Sequence, residues 1–519
     1  MVGCKTQPLK SDKDVVFAEL PWDDSSPAWQ EIDRRLPDSH LAREIDAVVD
    51  QLDLSKLLNS YSGRGSPPLR PDIMLKFVLY EFACGYTSPA DWFRHTRESD
   101  AVKWLSRGLQ PSRGVCYGFA QRLAPFLEDW NREVLQQALD HRHITASRGA
   151  LDGTAIAACA SRHKVIRQKT LDRRLQELDE ALAADEAGQS PEHPPRWMAR
   201  HPQTRRTQRE RYERARKRME ELQERNRQRR SGKRSDPERI VVSPADPDAG
   251  LGRDKFNVFR PLYTAVMMQD LDSPFVLGLA VFNRAGDCGT LPKVVESMAE
   301  WTARKPEVLL ADATFAAVAD LQFCEQQGIT LYAPVSENDY SQKNERKPGT
   351  NQFTGLPKTE FTWLAEKETY RCPAGHLLVY EGRSQSARAE GQSIGSIRFR
   401  CPPEYCCACP RQTQCTRAPM KGRTVSRLDG EELLDELRVR MQTTEAKALY
   451  RLRSQHVELR FADLKEHRCL RQFTARGLTQ ATAQLATAVL VHNGLTLHRK
   501  EFTKNRARHG TRILEKIPA

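Results

Sequence analysis

Leu151-Asp152-Gly153-Thr154-Ala155-Ile156-Ala157 follows a polar turn, Thr145 to Gly149, and reads as a short strand carrying one carboxylate. Two later segments supply what that carboxylate would need. Glu307-Val308-Leu309-Leu310-Ala311-Asp312 is a second apolar run, ending in an Asp ahead of a helical pattern. His456-Val457-Glu458-Leu459-Arg460-Phe461 sets a Glu inside a long helix near the C-terminus. A lone Asp on a strand is usually structural. Asp152, Asp312 and Glu458 together are a candidate ligand set for divalent metal ions, which take oxygen donors.

Around these segments the pattern alternates strand and helix. Leu262–Met268 and Phe275–Phe282 flank the turn Asp270–Pro274, an antiparallel hairpin. A helix from Leu291 to about Thr302 leads to the Asp312 strand. A helix with Val318, Leu321 and Cys324 then leads to the strand Ile329–Val335. The order predicts an α/β fold, a five-stranded mixed sheet of the RNase H type over 148–335, with Asp152 and Asp312 on its first and fourth strands. A charged helical arm, 165–235, interrupts this core. Its thin apolar seam is Leu175, Leu178, Leu182, Met219 and Leu222, and its Arg-dense stretch from Thr204 to Arg230 reads either as a solvated charged coil or as an arm lying along phosphates.

Upstream, residues 1–39 are rich in Asp, Ser and Pro and predict a loosely packed arm. Residues 40–140 read as an all-helical domain, with helices from Leu41, from Pro71, from Ser88 and from Tyr117 to about Ala138. Arg94, His95, Arg97, Lys103 and Arg107 are candidates for a DNA-facing surface. Downstream, a Cys-rich insertion spans 336–429. Helices over 430–498 carry Glu458, the last of them from Ala481 to about Leu497, and 499–519 reads as a basic tail.

At 519 residues the chain has room for two to four domains of roughly 150 residues. A formal charge of +13 points to a polyanionic partner, nucleic acid first. Mean hydropathy of -0.65 and the lack of a membrane-length apolar run exclude a membrane partner. Met1-Val2-Gly3-Cys4-Lys5 does not open a signal peptide, so a cytoplasmic protein, nucleoid-associated when on DNA, is expected. Of 13 cysteines, six cluster: Cys372, Cys401, Cys406, Cys407, Cys409 and Cys415. A reduced compartment makes these metal ligands rather than disulfides. Cys372, Cys406, Cys409 and Cys415 are the expected set for a structural Zn²⁺, with Cys401, Cys407 and His376 as substitutes.

The chain resembles a DDE transposase of a bacterial insertion sequence. The likeness rests on Leu151-Asp152-Gly153-Thr154 with Ala160-Ser161-Arg162, on Asp246-Pro247-Asp248-Ala249, on Ala311-Asp312-Ala313 with Leu331-Tyr332-Ala333-Pro334, and on the C-terminal block. There Tyr450, Arg453, Glu458, Phe461 and Lys465 resemble the family's Tyr-Arg-Glu-Lys signature, followed by Arg476-Gly477-Leu478 and His492-Asn493. The helices near 41–135 resemble the N-terminal domain of one branch of these enzymes. Two departures stand out: Thr314-Phe315 replaces the usual Gly-Tyr, and the Arg453–Glu458 gap is one residue longer than the commonest form.

The resemblance implies cleavage and joining of DNA with two Mg²⁺ or Mn²⁺ ions. Asp152 would bridge both ions, and Asp312 and Glu458 would each hold one. Lys465, seven residues past Glu458 and so on the same face of an α-helix, would contact a phosphate, with Arg453 and Tyr450 as further DNA contacts. The partners implied are the inverted-repeat ends of an element and a target DNA, bound by a homo-oligomer. A catalytically silent DNA-binding protein derived from such an enzyme, or a nuclease on the same core, is the alternative.

Overall fold

The structure is a computed structural model and describes residues 15–229, 232, 234–335, 355, 356, 358–387 and 393–514. Cys4 and the start of the expected N-terminal arm lie outside the described residues, as do 336–354 at the start of the Cys-rich segment. The chain forms two compact units, one of Met1–Leu310 with Arg451–Ala519 and the other of Ala311–Tyr450.

The first unit holds a mixed sheet around the Arg148–Ala157 strand. On one side it pairs antiparallel with Phe259–Asp270, Asp152 opposite Met267 and Thr154 opposite Ala265. On the other side Val308–Leu310 runs parallel, Arg148 opposite Val308. Val276–Phe282 continues the hairpin on the far edge of Phe259–Asp270. Leu262 to Asp270 are all buried, as expected of an inner strand covered on both faces. A further edge strand, Gly250–Arg253, pairs with Phe259–Leu262 and was not legible in the sequence. Four residues, two of them Gly, carry too little alternation to announce a strand.

The helical residues pack onto this sheet rather than standing apart. The last helix, Leu478–Leu514, contacts the helices Leu41–Asp50, Pro71–Ala83 and Leu127–Asp140 and the Val276–Phe282 strand. Leu485, Ala488, Val489, Leu490 and Val491 are buried along it. It runs well past Leu497, so the expected basic tail is helical through Leu514. Asn131 Nδ2 donates to Ala486 O at 3.2 Å inside this interface. Further along, Glu501 is held between His141 and His143, on the turn that Arg142 makes at φ 57°.

Three expectations for the N-terminal residues change. Pro27–Arg35 is a helix whose Trp29 stacks on Trp104 at 5.7 Å, so that part of the expected loose arm is packed. The helix expected from Tyr117 to Ala138 is two, Arg113–Leu123 and Leu127–Asp140, broken at Pro125, where the ring removes a backbone donor. Arg107 is buried over Trp29 and paired with Asp24, and His95 pairs with buried Glu81. These two side chains are paired within the fold rather than presented on an open surface.

The interrupting arm is a helical hairpin, Gln168–Glu186 and Pro202–Gln228. Its core is Leu171, Leu175, Leu178, Ala181, Met198, Tyr212, Ala215 and Met219. Leu182 and Leu222 are only half-buried, while Ala181, Tyr212 and Ala215 turn inward beside Met219. Arg205 is fully buried, bonded to Asp185 and to the carbonyls of Ala199 and Arg200. It closes the hairpin and cannot meet a phosphate.

In the second unit, Val379–Ala387, Ser393–Arg400 and Thr424–Leu428 form an antiparallel sheet, and Thr362–Leu364 pairs with Thr369–Arg371. Phe361, Trp363, Tyr370, Phe399 and Val425 give this Cys-rich segment a small aromatic core, which cysteines extend. The unit also holds the helices Val318–Gln327 and Glu431–Gln442 and the strand Thr330–Tyr332.

Candidate active site

Asp152 and Thr154 are two apart on one strand, so their side chains share a face. The helix Thr444–Ala462 brings Arg453 to that face, its Nη2 2.9 Å from Asp152 Oδ1 across 301 residues of chain. Lys465 Nζ donates to Thr154 Oγ1 from 311 residues away. Both Asp152 and Arg453 are mostly buried, at 20 and 14% side-chain exposure, so the pair is only partly screened by water. Burial holds the Lys465 ammonium below its ordinary range, helped by Lys255 and Arg471, while Asp152 acts in the opposite sense.

Lys465 does not continue the α-helix. Asp463–His467 is a π turn, with Arg468 N donating to Asp463 O at 3.1 Å. The seven-residue spacing from Glu458 therefore does not place the two on one α-helical face; the wider turn sets the direction of Lys465 instead. Such turns recur at functional sites. Buried Leu464, Leu470 and Phe473 anchor the segment, and the chain beyond it adds onto the strand end: Phe473 N donates to Ala157 O at 2.9 Å.

On the opposite face of the strand, a Cβ at Gly153 would lie 2.5 Å from Asp287 Cγ. Gly153 lets the Asp287 carboxyl approach the strand backbone. Asp287 and Thr154 did not stand out in the sequence; for Thr154 the signal was its alternation with Asp152.

The loop Asp246-Pro247-Asp248-Ala249 caps the last helix. Asp246 Oδ1 accepts from Gly477 N and Tyr263 Oη, and Asp248 Oδ2 accepts from Leu478 N. Carboxylates at a helix N-terminus satisfy its free N–H groups. Burial pushes Asp246 up, and its bonds to Tyr263 and Gly477 pull the other way.

Asp312 belongs to the second unit. It follows the Val308–Leu310 strand and caps the turn Ala313–Phe315, its Oδ1 accepting from Thr314 N at 2.8 Å. Phe315, at one of the two departures from the family pattern, is fully buried. Glu458 lies within the Thr444–Ala462 helix; its side chain is outside the described residues. Tyr450 sits on the same helix. Among the described residues no helix is long and apolar enough to cross a membrane.

Two family models match this chain. Residues 30–116 match a transposase domain (DUF772), and residues 371–498 match a transposase DDE domain. No curated protein matches. Both matched domains are those of transposases, and together they support a DDE transposase of an insertion sequence. The DDE match takes in Cys372 to Cys415, Glu458 and Lys465, so the Cys-rich segment is part of the matched domain from residue 371 on. Asp152 and Asp312 lie outside both matches.

Proposed function

We propose that this chain cleaves the ends of a DNA element and joins them to target DNA, on an RNase H-like core. The observation that carries the reading is the meeting of Arg453 and Lys465 with the Asp152 face of the central strand. A structural aspartate would need one partner. Here the segment that bears Glu458 delivers two cations to one strand face, which suits an acidic site that receives a polyanion.

Asp152, Asp312 and Glu458 would hold the metal. An all-carboxylate donor set fits a hard ion such as Mg²⁺ or Mn²⁺ and not a thiophilic one. When bound, two such ions supply activation of the attacking oxygen and stabilisation of the leaving one. The chain's own residues do the rest. Lys465, with its ammonium partly desolvated, gives a phosphate oxygen a charge-assisted hydrogen bond. Arg453 neutralises Asp152 and reaches a neighbouring phosphate when Asp152 is otherwise engaged. The helices of 40–140 and the exposed cations of the arm bind the duplex.

The test uses full-length protein and duplexes carrying the sequences that flank its gene. With Mg²⁺ or Mn²⁺ we expect strand cleavage at the element ends and joined products, both stopped by chelation. Specific binding with no cleavage in either ion would overturn the catalytic reading and favour a silent DNA-binding protein. Cleavage without joined products would favour a nuclease.

A further inference from the structure

The cysteine cluster has no part in the chemistry above, and the fold gives it a definite shape. Cys372, Cys401, Cys406, Cys409 and Cys415 line one cavity in the second unit, together with His376. Cys407 is excluded: it is exposed, with its Sγ turned to Met420 Sδ at 3.4 Å. We propose that this cavity binds one structural Zn²⁺ through Cys372, Cys406, Cys409 and Cys415, with Cys401 as a thiol donor to the bound sulfurs and not a ligand.

The four ligands come from three short turns, as in thiolate zinc sites. Cys372 opens the turn Cys372-Pro373-Ala374-Gly375-His376, closed by Cys372 N to His376 O and Gly375 N to Cys372 O, both 2.8 Å, with Gly375 at φ 91°. Cys406 and Cys409 sit three apart around the Pro403–Cys407 helix end, and Cys415 ends the Gln412–Cys415 helix. Arg423 N lies 3.4 Å from Cys406 Sγ, a backbone donor to sulfur of the kind that steadies a thiolate. The Arg423 and Arg411 side chains also line the cavity, so the net negative charge of four thiolates around Zn²⁺ would have counter-ions.

Cys401 differs from the other four. It is 2% exposed at the end of the Ser393–Arg400 strand, and its N–H donates to Arg423 O at 2.8 Å. Its thiol is hydrogen-bonded to both Cys372 and Cys406 and so can donate to either sulfur. A Cβ at Gly422 would lie 2.0 Å from Cys401 O, so that backbone is pinned. His376 stacks on Tyr405 at 4.2 Å and 8°, which occupies its ring as a wall of the cavity. Among the described residues no three of these sulfurs lie within 4.8 Å of one another, so the ion would draw the turns together.

The test begins with unmodified full-length protein purified under reducing conditions. Elemental analysis should give about one zinc per chain, and titration with a mercurial should release it as about four thiols react. Co²⁺ exchanged into the site should give the intense visible bands of a tetrahedral thiolate complex. Among variants, Cys372→Ser, Cys406→Ser, Cys409→Ser and Cys415→Ser should each lose most of the zinc. Cys401→Ser should keep about one ion, with the cobalt bands shifted, and Cys407→Ser should match wild type. Metal-free wild type that takes up neither Zn²⁺ nor Co²⁺ overturns the site. Loss of zinc in Cys401→Ser with retention in Cys409→Ser or Cys415→Ser overturns the ligand assignment. These readouts do not depend on DNA cleavage, so they fail independently of the transposase reading.

Discussion

His492 is a buried imidazole with both ring nitrogens in use. Nε2 donates to Pro274 O at 2.7 Å, and Nδ1, 3.1 Å from Arg460 Nη1, accepts from it. The contact with Arg460 requires the neutral ring, since Nδ1 can accept only when it carries no proton. Burial first, then Arg460, pull its pKa down to about 3. The folded value lies below the unfolded one, so the stability this ring contributes is full above about pH 6.5 and is lost as pH falls toward 3. We expect the unfolding free energy to fall from pH 7 to pH 4.5, by at most about 1.4 kcal/mol per pH unit from this group, and the thermal midpoint to fall with it. His492→Gln should be less stable at pH 7 and flatter with pH; an unchanged slope would remove His492 as a source of acid sensitivity. Its neighbour Asn493 bonds both backbone groups of Val276, at 3.0 and 2.8 Å. The His-Asn pair, recognisable in the sequence only by family likeness, thus ties the last helix to the hairpin. Lys465→Ala, which removes one charge-assisted hydrogen bond, should lower strand transfer roughly 10- to 100-fold with little change in thermal stability. Unchanged transfer would make the lysine a structural partner of Thr154 alone.

At the scale of elements, the parts with strong period were legible. The hairpin around Asp270–Pro274 and the helix Leu291–Thr302 fall where their apolar spacing puts them. What stayed hidden were elements set by tertiary packing: the four-residue edge strand, the π turn under Lys465, and the aromatic core that Trp363, Tyr370 and Phe399 assemble from separate strands. Charge density misled in the arm. Arg205 looked like a phosphate ligand and is a buried partner of Asp185, whereas Arg206, Arg214 and Lys217 are exposed. Changing those three to Gln should flatten the slope of log affinity against log salt, by roughly 0.9 for each phosphate no longer neutralised. An unchanged slope would mean the hairpin meets protein rather than DNA. Leu178→Ala, in the hairpin seam, should destabilise it by about 2–5 kcal/mol, visible as faster proteolysis between the two helices.

At the scale of the whole molecule, the first unit packs residues before Arg142, the sheet and the last helix together. Asp152, Arg453 and Lys465 belong to that unit and Asp312 to the other. Sequence could flag the three acids because each sits in a patterned element. It could not flag Asp287, which shows only through its approach to the strand at Gly153. The most direct measurement is Mg²⁺-dependent cleavage and joining of end DNA by Asp152→Asn, Asp312→Asn and Glu458→Gln, with end binding measured on the same preparations. Each change keeps the side-chain volume and removes a ligand charge. All three variants should lose cleavage and joining while binding end DNA nearly as wild type does. Full activity in any one of them would rule out the three-carboxylate site.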